Sequence, residues 1–221
     1  MLSGIDFSVF KHPKSDLIKK FLLSFLGVVF IGFSIAFNSY TNLGTDPISV
    51  FSDGVHRFLK ISLGSACDVT NGILFLVILF LGRRYMNIGT LIHAILLGFF
   101  VNLGTYLYSL LNISNTIFFR AVMAVIACFL LFFGTALLIA VDVGLDVWTG
   151  LAMIFRDRTH KEYKFFRVAI DIFSMVAGYL LGGQVGAVTV LVAFFGGPAI
   201  QALVKFIKKS VFVLVKLENR V

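Results

Sequence analysis

Residues 42–60 read NLGTDPISVFSDGVHRFLK, and one hundred positions further on residues 142–155 read DVGLDVWTGLAMIF. Each follows a long apolar run, FLLSFLGVVFIGFSIAF at 21–37 and AVMAVIACFLLFFGTALLIAV at 121–141. In the first stretch Pro47 stands at a first helical position with Asp46 before it, an N-cap arrangement in which the carboxylate accepts the free amides near Ser49 and its charge suits the positive end of the helix. Asp146, before Val147, Trp148 and Thr149, can do the same without the proline. Neither stretch suits a full crossing of a bilayer. The first carries Asp46, Asp53 and His56, and a central aspartate facing lipid costs roughly 2.5–3.5 kcal/mol. Both are expected to be half-helices, re-entrant or interfacial.

The rest of the chain makes lipid the solvent. Of 221 residues 59% are apolar and 14% charged, against about 25% charged in an ordinary soluble domain, and the mean hydropathy is +0.99. Six apolar runs, at about 18–38, 66–82, 88–111, 116–141, 166–182 and 186–208, approach the length that crosses hydrocarbon. The net charge of +8 does not form a nucleic-acid patch, because the cations sit at the ends of apolar runs. Cys67 and Cys128, the two cysteines, fall in or beside apolar runs and read as packing residues. The segment around Lys11–Ala36 reads as an uncleaved first span, since it takes part in the repeat described next.

Sliding the sequence on itself by one hundred positions pairs Phe33 with Phe133, Ala36 with Ala136, Gly44 with Gly144, Asp46 with Asp146 and Asn42 with Asp142. The register continues through Asn71 and Asp171 and Gly82 and Gly182, then, after a one-residue deletion, Thr90 and Thr189, Gly98 and Gly197, Asn102 and Gln201. The expected fold is an all-α membrane protein: six transmembrane helices as two inverted three-helix repeats, each with a short half-helix or re-entrant segment. The boundaries expected are a leader at 1–17, a first repeat at 18–111, a second at 112–208 and a tail at 209–221.

The string LGTDPISVFSDG at 43–54, the later LGRRYMNIGT at 81–90 and the reduced copy GLDVWTGL at 144–151 resemble the YczE/YyaS/YitT-like bacterial integral membrane proteins. The resemblance runs over roughly 20–205, and its Gly-Thr-Asp-Pro element is the most specific part. It implies a bacterial inner membrane and a bundle of five or six spans, and names a fold rather than a substrate. The second copy departs from the first at Leu145 and Val147, where the first has Thr45 and Pro47.

With six spans and both termini cytoplasmic, sixteen of the nineteen lysines and arginines lie inside, as the positive-inside rule requires. Letting both short segments span gives a split just as one-sided, so the buried aspartates, not the cations, choose six. The two acidic helix tips are expected to face each other and form a polar site lined by Thr45, Asp46, Ser49, Asn71, Asp146, Trp148, Thr149 and Asp171. Arg167 and Asp171, four apart, form a local ion pair on one helix face; His93 reads as an interior hydrogen-bonding residue. Gly32 and Ala36 bring the first span close to a neighbour. No metal-ligand spacing, P-loop, nucleophile elbow or paired-carboxylate element occurs, so the expectation is no enzyme, no cofactor and no metal. The function that fits is a small-solute transporter or facilitator in the bilayer. Its rivals are a substrate-binding subunit of a multi-component, ECF-like transporter, and a non-transporting scaffold; a homo-oligomer is compatible with each.

Overall fold

The computed structural model describes residues 14–82, 88–110, 116–141 and 146–214, and all regular structure among them is helical. Eight helices follow in order: α1 Lys14–Thr41, α2 Pro47–Leu59, α3 Leu63–Leu81, α4 Ile88–Leu110, α5 Ile117–Val141, α6 Val147–Thr159, α7 Tyr163–Leu180 and α8 Ala187–Leu214. The element bounds recur at the spacing found in the sequence. α1 and α5 end at Thr41 and Val141, α2 and α6 coincide at both ends, and α3 and α7 begin at Leu63 and Tyr163. α4 and α8 begin 99 apart, at Ile88 and Ala187, which is the deletion seen above. Asp142 and Gly144 of the repeat, together with Arg83 and Arg84, lie outside the described residues, as do most of the expected leader and tail.

α1 and α5 form the centre and run antiparallel. Gly27 and Gly134 meet where they cross: a Cβ built on Gly27 would stand 2.9 Å from the Gly134 carbonyl oxygen, and one on Gly134 would stand 2.8 Å from that of Gly27. Seven residues further along α1, the Ser34 hydroxyl donates to the Ala127 carbonyl at 2.7 Å. Seven further still, Arg120 Nε donates to the Thr41 carbonyl. Each step forward on α1 is matched by an equal step back on α5. α4 packs on α1 and α8 on α5, with Gly32 against the Phe100 backbone and Ala36 against Gly104. The expected small-residue pair therefore packs internally.

The remaining helices form a ring in which α2 touches α3, α3 touches α6, α6 touches α7 and α7 touches α2. α2 runs parallel to α7, with Val50 level with Gly178 and Arg57 beside Gly182. α6 runs parallel to α3, with Gly150 against Ile78 and Arg158 donating to the Leu81 carbonyl at 3.1 Å. α2 and α3 make a tight helical hairpin through Lys60, which takes the left-handed φ of 55°. His160 closes α6 with the same φ of 55°. The two short helices thus enter the ring from opposite ends.

Small and large residues trade places between these two contacts. On α2 and α7 the pair is Val50 and Gly178; at the equivalent positions of α6 and α3 it is Gly150 and Ile78. Gly54, which a Cβ would drive into the Gly178 carbonyl, has the buried Ile154 as its counterpart. α2 and α7 therefore touch backbone to backbone, while α3 and α6 are held apart by Ile78 and Ile154.

Five helices, α1, α3, α4, α5 and α8, are long and apolar enough to cross a membrane. The run expected at 166–182 is α7, whose 18 residues include Lys164, Arg167 and Asp171, and it is not among the five. The burial pattern is that of a lipid solvent. Phe80, Leu180, Phe194 and Val125 are at least 70% exposed, while Ser34, Asn38, Thr41, Asp53, Asn71, His93, Ser174 and Thr189 are buried. A water-soluble fold puts these classes the other way round.

Candidate polar site between the short helices

Both expected caps form, with matching geometry. Asp46 takes φ −63° and ψ 155°, and Asp146 φ −63° and ψ 154°. Asp46 Oδ2 accepts the Ser49 amide at 3.1 Å, and Asp146 Oδ2 accepts the Thr149 amide at 3.1 Å. The Thr45 hydroxyl donates to Asp46 Oδ1 at 3.4 Å. The cap thus uses one carboxylate oxygen in each helix, and the charge stays available to a third group.

That group is Arg167 of α7. Its guanidinium lies within electrostatic reach of Asp146, Asp171 and Asp46, which come from three different helix positions. Nη1 donates to the Thr149 hydroxyl at 3.2 Å, and Nε pairs with Asp171 Oδ1 at 3.4 Å. The expected local ion pair is present, but loosely held: Asp171 Oδ1 is buried without a hydrogen bond of good geometry. Asp171 stands half-way along α7 and is within electrostatic reach of both caps. His93 of α4 is within reach of Asp146, and Cys67 of α3 within reach of Asp46.

Of the eight expected site residues, Asp46, Asp146, Thr149 and Asp171 gather around Arg167, and Thr45 and Ser49 are buried beside Asp46. Trp148 is buried and meets Phe51 edge to face, with ring centroids 6.0 Å apart at 82°. This ring contact joins α2 to α6. Asn71 is buried on α3 at the position that Asp171 holds on α7, and no hydrogen bond ties it to the acidic group among the described residues. A groove of about 240 Å³ lined by Asp68, Gly72, Phe75, Ala94 and Ile95 lies between α3 and α4 and is lined by none of the eight.

Other intramembrane polar residues serve the scaffold. Asp68 Oδ1 accepts the Gly98 amide at 2.9 Å, and Asn102 Oδ1 accepts the Gly64 amide at 3.0 Å. Asp53 Oδ2 accepts the Gln184 amide at 2.8 Å and Arg57 Nε at 3.1 Å. This ties α2 to the turn between α7 and α8. The same turn is docked on residues 42–46 by the Val188 amide, which donates to the Leu43 carbonyl at 2.9 Å, and by a close approach of Gly44, at φ 93°, to Gly186. No side chain could occupy Gly44 in that contact, and only glycine adopts that φ without strain.

Sequence reasoning missed the polar stripe on α1. Ser34, Asn38 and Thr41 recur at helical spacing and are all buried, a signal readable in SIAFNSYT. Asn38 is 1% exposed with neither amide atom hydrogen-bonded, which costs about 1–3 kcal/mol. Its counterpart in the second half is Leu138. Asn38→Leu should therefore raise the melting temperature by about 2–4 °C per kcal/mol recovered, read by thermal denaturation in detergent. A lower melting temperature would mean that the amide has a structural partner.

Residues 18–205 match a family of unknown function, DUF6198. The chain belongs to that family. It is 30% identical over 169 residues to an uncharacterized protein of Haemophilus influenzae, covering 76% of each chain. Similarity extends to the uncharacterized protein YyaS of Bacillus subtilis, at 21% identity over 86% of this chain and 94% of that one. The uncharacterized membrane protein YczE of the same organism is 18% identical over 83% of this chain and 85% of its own. No solved structure gives a significant match. The family is thus the YczE- and YyaS-like one that the Gly-Thr-Asp-Pro element resembles, and five apolar helices of spanning length make this member a membrane protein.

Proposed function

We propose that this family member is a small-solute transporter or facilitator of the bacterial inner membrane, without enzymatic activity, in which two inverted repeats enclose a central polar site. The observation that carries the reading is the convergence of both short-helix tips, Asp46 and Asp146, on one half-buried Arg167–Asp171 pair. Half-helices that enter from opposite sides and present their N-termini at mid-membrane are the parts from which many secondary transporters build a substrate site. The antiparallel crossing of α1 and α5 and the recurring element bounds support the inverted relation. On this reading α7 completes a sixth crossing. Arg167 and Asp171 on it are within reach of the caps of α2 and α6, and both termini lie in the cytoplasm. Three carboxylates against one guanidinium favour a cationic or polyhydroxylated solute, or a proton as coupling ion. The Phe51–Trp148 contact makes this an occluded arrangement, which a rocking of the halves opens.

Side-specific labelling tests it. In a Cys67→Ala, Cys128→Ala background, Ser49→Cys and Thr149→Cys are exposed to a membrane-impermeant maleimide from either side of oriented vesicles. A transporter labels at the buried Ser49 position and the half-buried Thr149 position, from one side or the other as the halves rock. A scaffold labels at an exposed control, Lys60→Cys, and at neither site position; that result ends the transporter reading. Labelling only when a partner complex is supplied would favour the multi-component alternative.

A further inference from the structure

The two halves carry the same acceptors but only one carries the donor. Beside Asp146 the second half places the Thr149 hydroxyl, the Asp171 carboxylate and the Arg167 guanidinium. One hundred positions earlier the first half places Asp46, Ser49 and Asn71, and in place of Arg167 the neutral Cys67. Cys67 is buried within reach of Asp46, while Arg167 is within reach of Asp146 and, more weakly, of Asp46. Each acceptor of the second half thus has a counterpart in the first: carboxylate for carboxylate, hydroxyl for hydroxyl, amide oxygen for carboxylate oxygen. One turn on from Cys67, Thr70 is 4% exposed and its hydroxyl has no hydrogen-bond partner.

We propose that Asp46, Ser49 and Asn71 form a binding site for a guanidinium- or ammonium-bearing solute, of which Arg167 among Asp146, Thr149 and Asp171 is the built-in template. The inference rests on reading the chamber as a solute site, and it adds the chemical class and the half of the molecule that binds. Asp46 accepts the charge through the oxygen that does not cap α2. Ser49 stands where Thr149 accepts a guanidinium N–H, and the Asn71 amide oxygen stands in for Asp171 with less charge. A planar cation with several donors matches such a divided set of acceptors better than a bare metal ion, and no group of three or more metal-ligating side chains occurs among the described residues.

The experiment uses the full-length protein in detergent with guanidinium chloride up to about 10 mM, against sodium chloride at equal concentration. Guanidinium acting as a denaturant lowers the melting temperature, so a rise reports binding. The expected result is a rise of about 2–4 °C in the native protein. The rise is lost in Asp46→Asn, which keeps the helix cap because asparagine caps as well as aspartate. It is reduced in Ser49→Ala, a variant that decides the matter should Asp46→Asn not fold, and retained in Asp157→Asn, outside the chamber. No rise beyond sodium chloride, or an equal rise in Asp46→Asn and Ser49→Ala, overturns the proposal. Labelling at Ser49→Cys and Thr149→Cys without a guanidinium response removes this assignment and leaves the transporter reading standing.

Discussion

Gly178→Ile should leave little folded protein to purify, although isoleucine is what the other half of the molecule carries at the same position. A Cβ on Gly178 meets the Val50 carbonyl and the Phe51 amide, and one on Gly54 meets the Gly178 carbonyl. Both obstacles are backbone, and neither can rotate away. Over-packing of a closed contact usually costs about 1–3 kcal/mol, and more where the neighbours cannot yield. At about 2–4 °C per kcal/mol for a chain of this size the melting temperature should fall by 6 °C or more. At position 78 the same side chain lies against Gly150, whose Cβ would stand 3.3 Å from Ile78 Cδ1, so the bulk is accommodated there. Gly72 supplies the control: a Cβ there meets nothing within 4 Å, and Gly72→Ala should stabilise α3 by about 0.5–1 kcal/mol. Equal melting temperatures for Gly178→Ile and the native protein would show that α2 and α7 are not in backbone contact.

The second large effect concerns the charge at the centre. Arg167→Met removes the cation that lies within reach of Asp46, Asp146 and Asp171 and leaves their negative charges without it. Breaking a fully buried pair costs about 3–5 kcal/mol, but both side chains of the Arg167–Asp171 pair retain about a third of their exposure, 34% and 31%, so solvent screening reduces this to about 1–3 kcal/mol. Adding Asp171→Asn should recover much of the loss, because the double variant reproduces the neutral arrangement of Cys67 and Asn71. The two changes are thus expected to be strongly non-additive in a double-mutant cycle of thermal stability. Additive losses would mean that Arg167 is not held by Asp171.

Much of this was readable in the residues, for a physical reason. A proline after an aspartate and a repeat that preserves the aspartate mark a helix start wherever they occur, so Asp46 and Asp146 could be placed as caps without any structure. The Arg167–Asp171 pair follows from helical spacing alone. Element ends were less legible. The second span, expected from 66, begins at Leu63 because the Ser62 side chain accepts the Ser65 amide at 3.1 Å, and so Asp68 lies inside the helix rather than near its opening. Hidden altogether were the contacts made by backbone, such as Leu43 with Val188 and Gly44 with Gly186, since no side-chain pattern announces them. The convergence of both caps on Arg167 was hidden too: it depends on α7 lying along α2, a pairing set by the backbone approach at Gly54 and Gly178.

The exchange of bulk between the two halves also limits what each could do unaided. If the first half met a second copy of itself, its α2 would bring Val50 against Ile78, bulk on bulk. If the second half did so, α6 would bring Gly150 to Gly178 and leave a void. Neither fragment is shaped to dimerise with its twin, yet each complements the other.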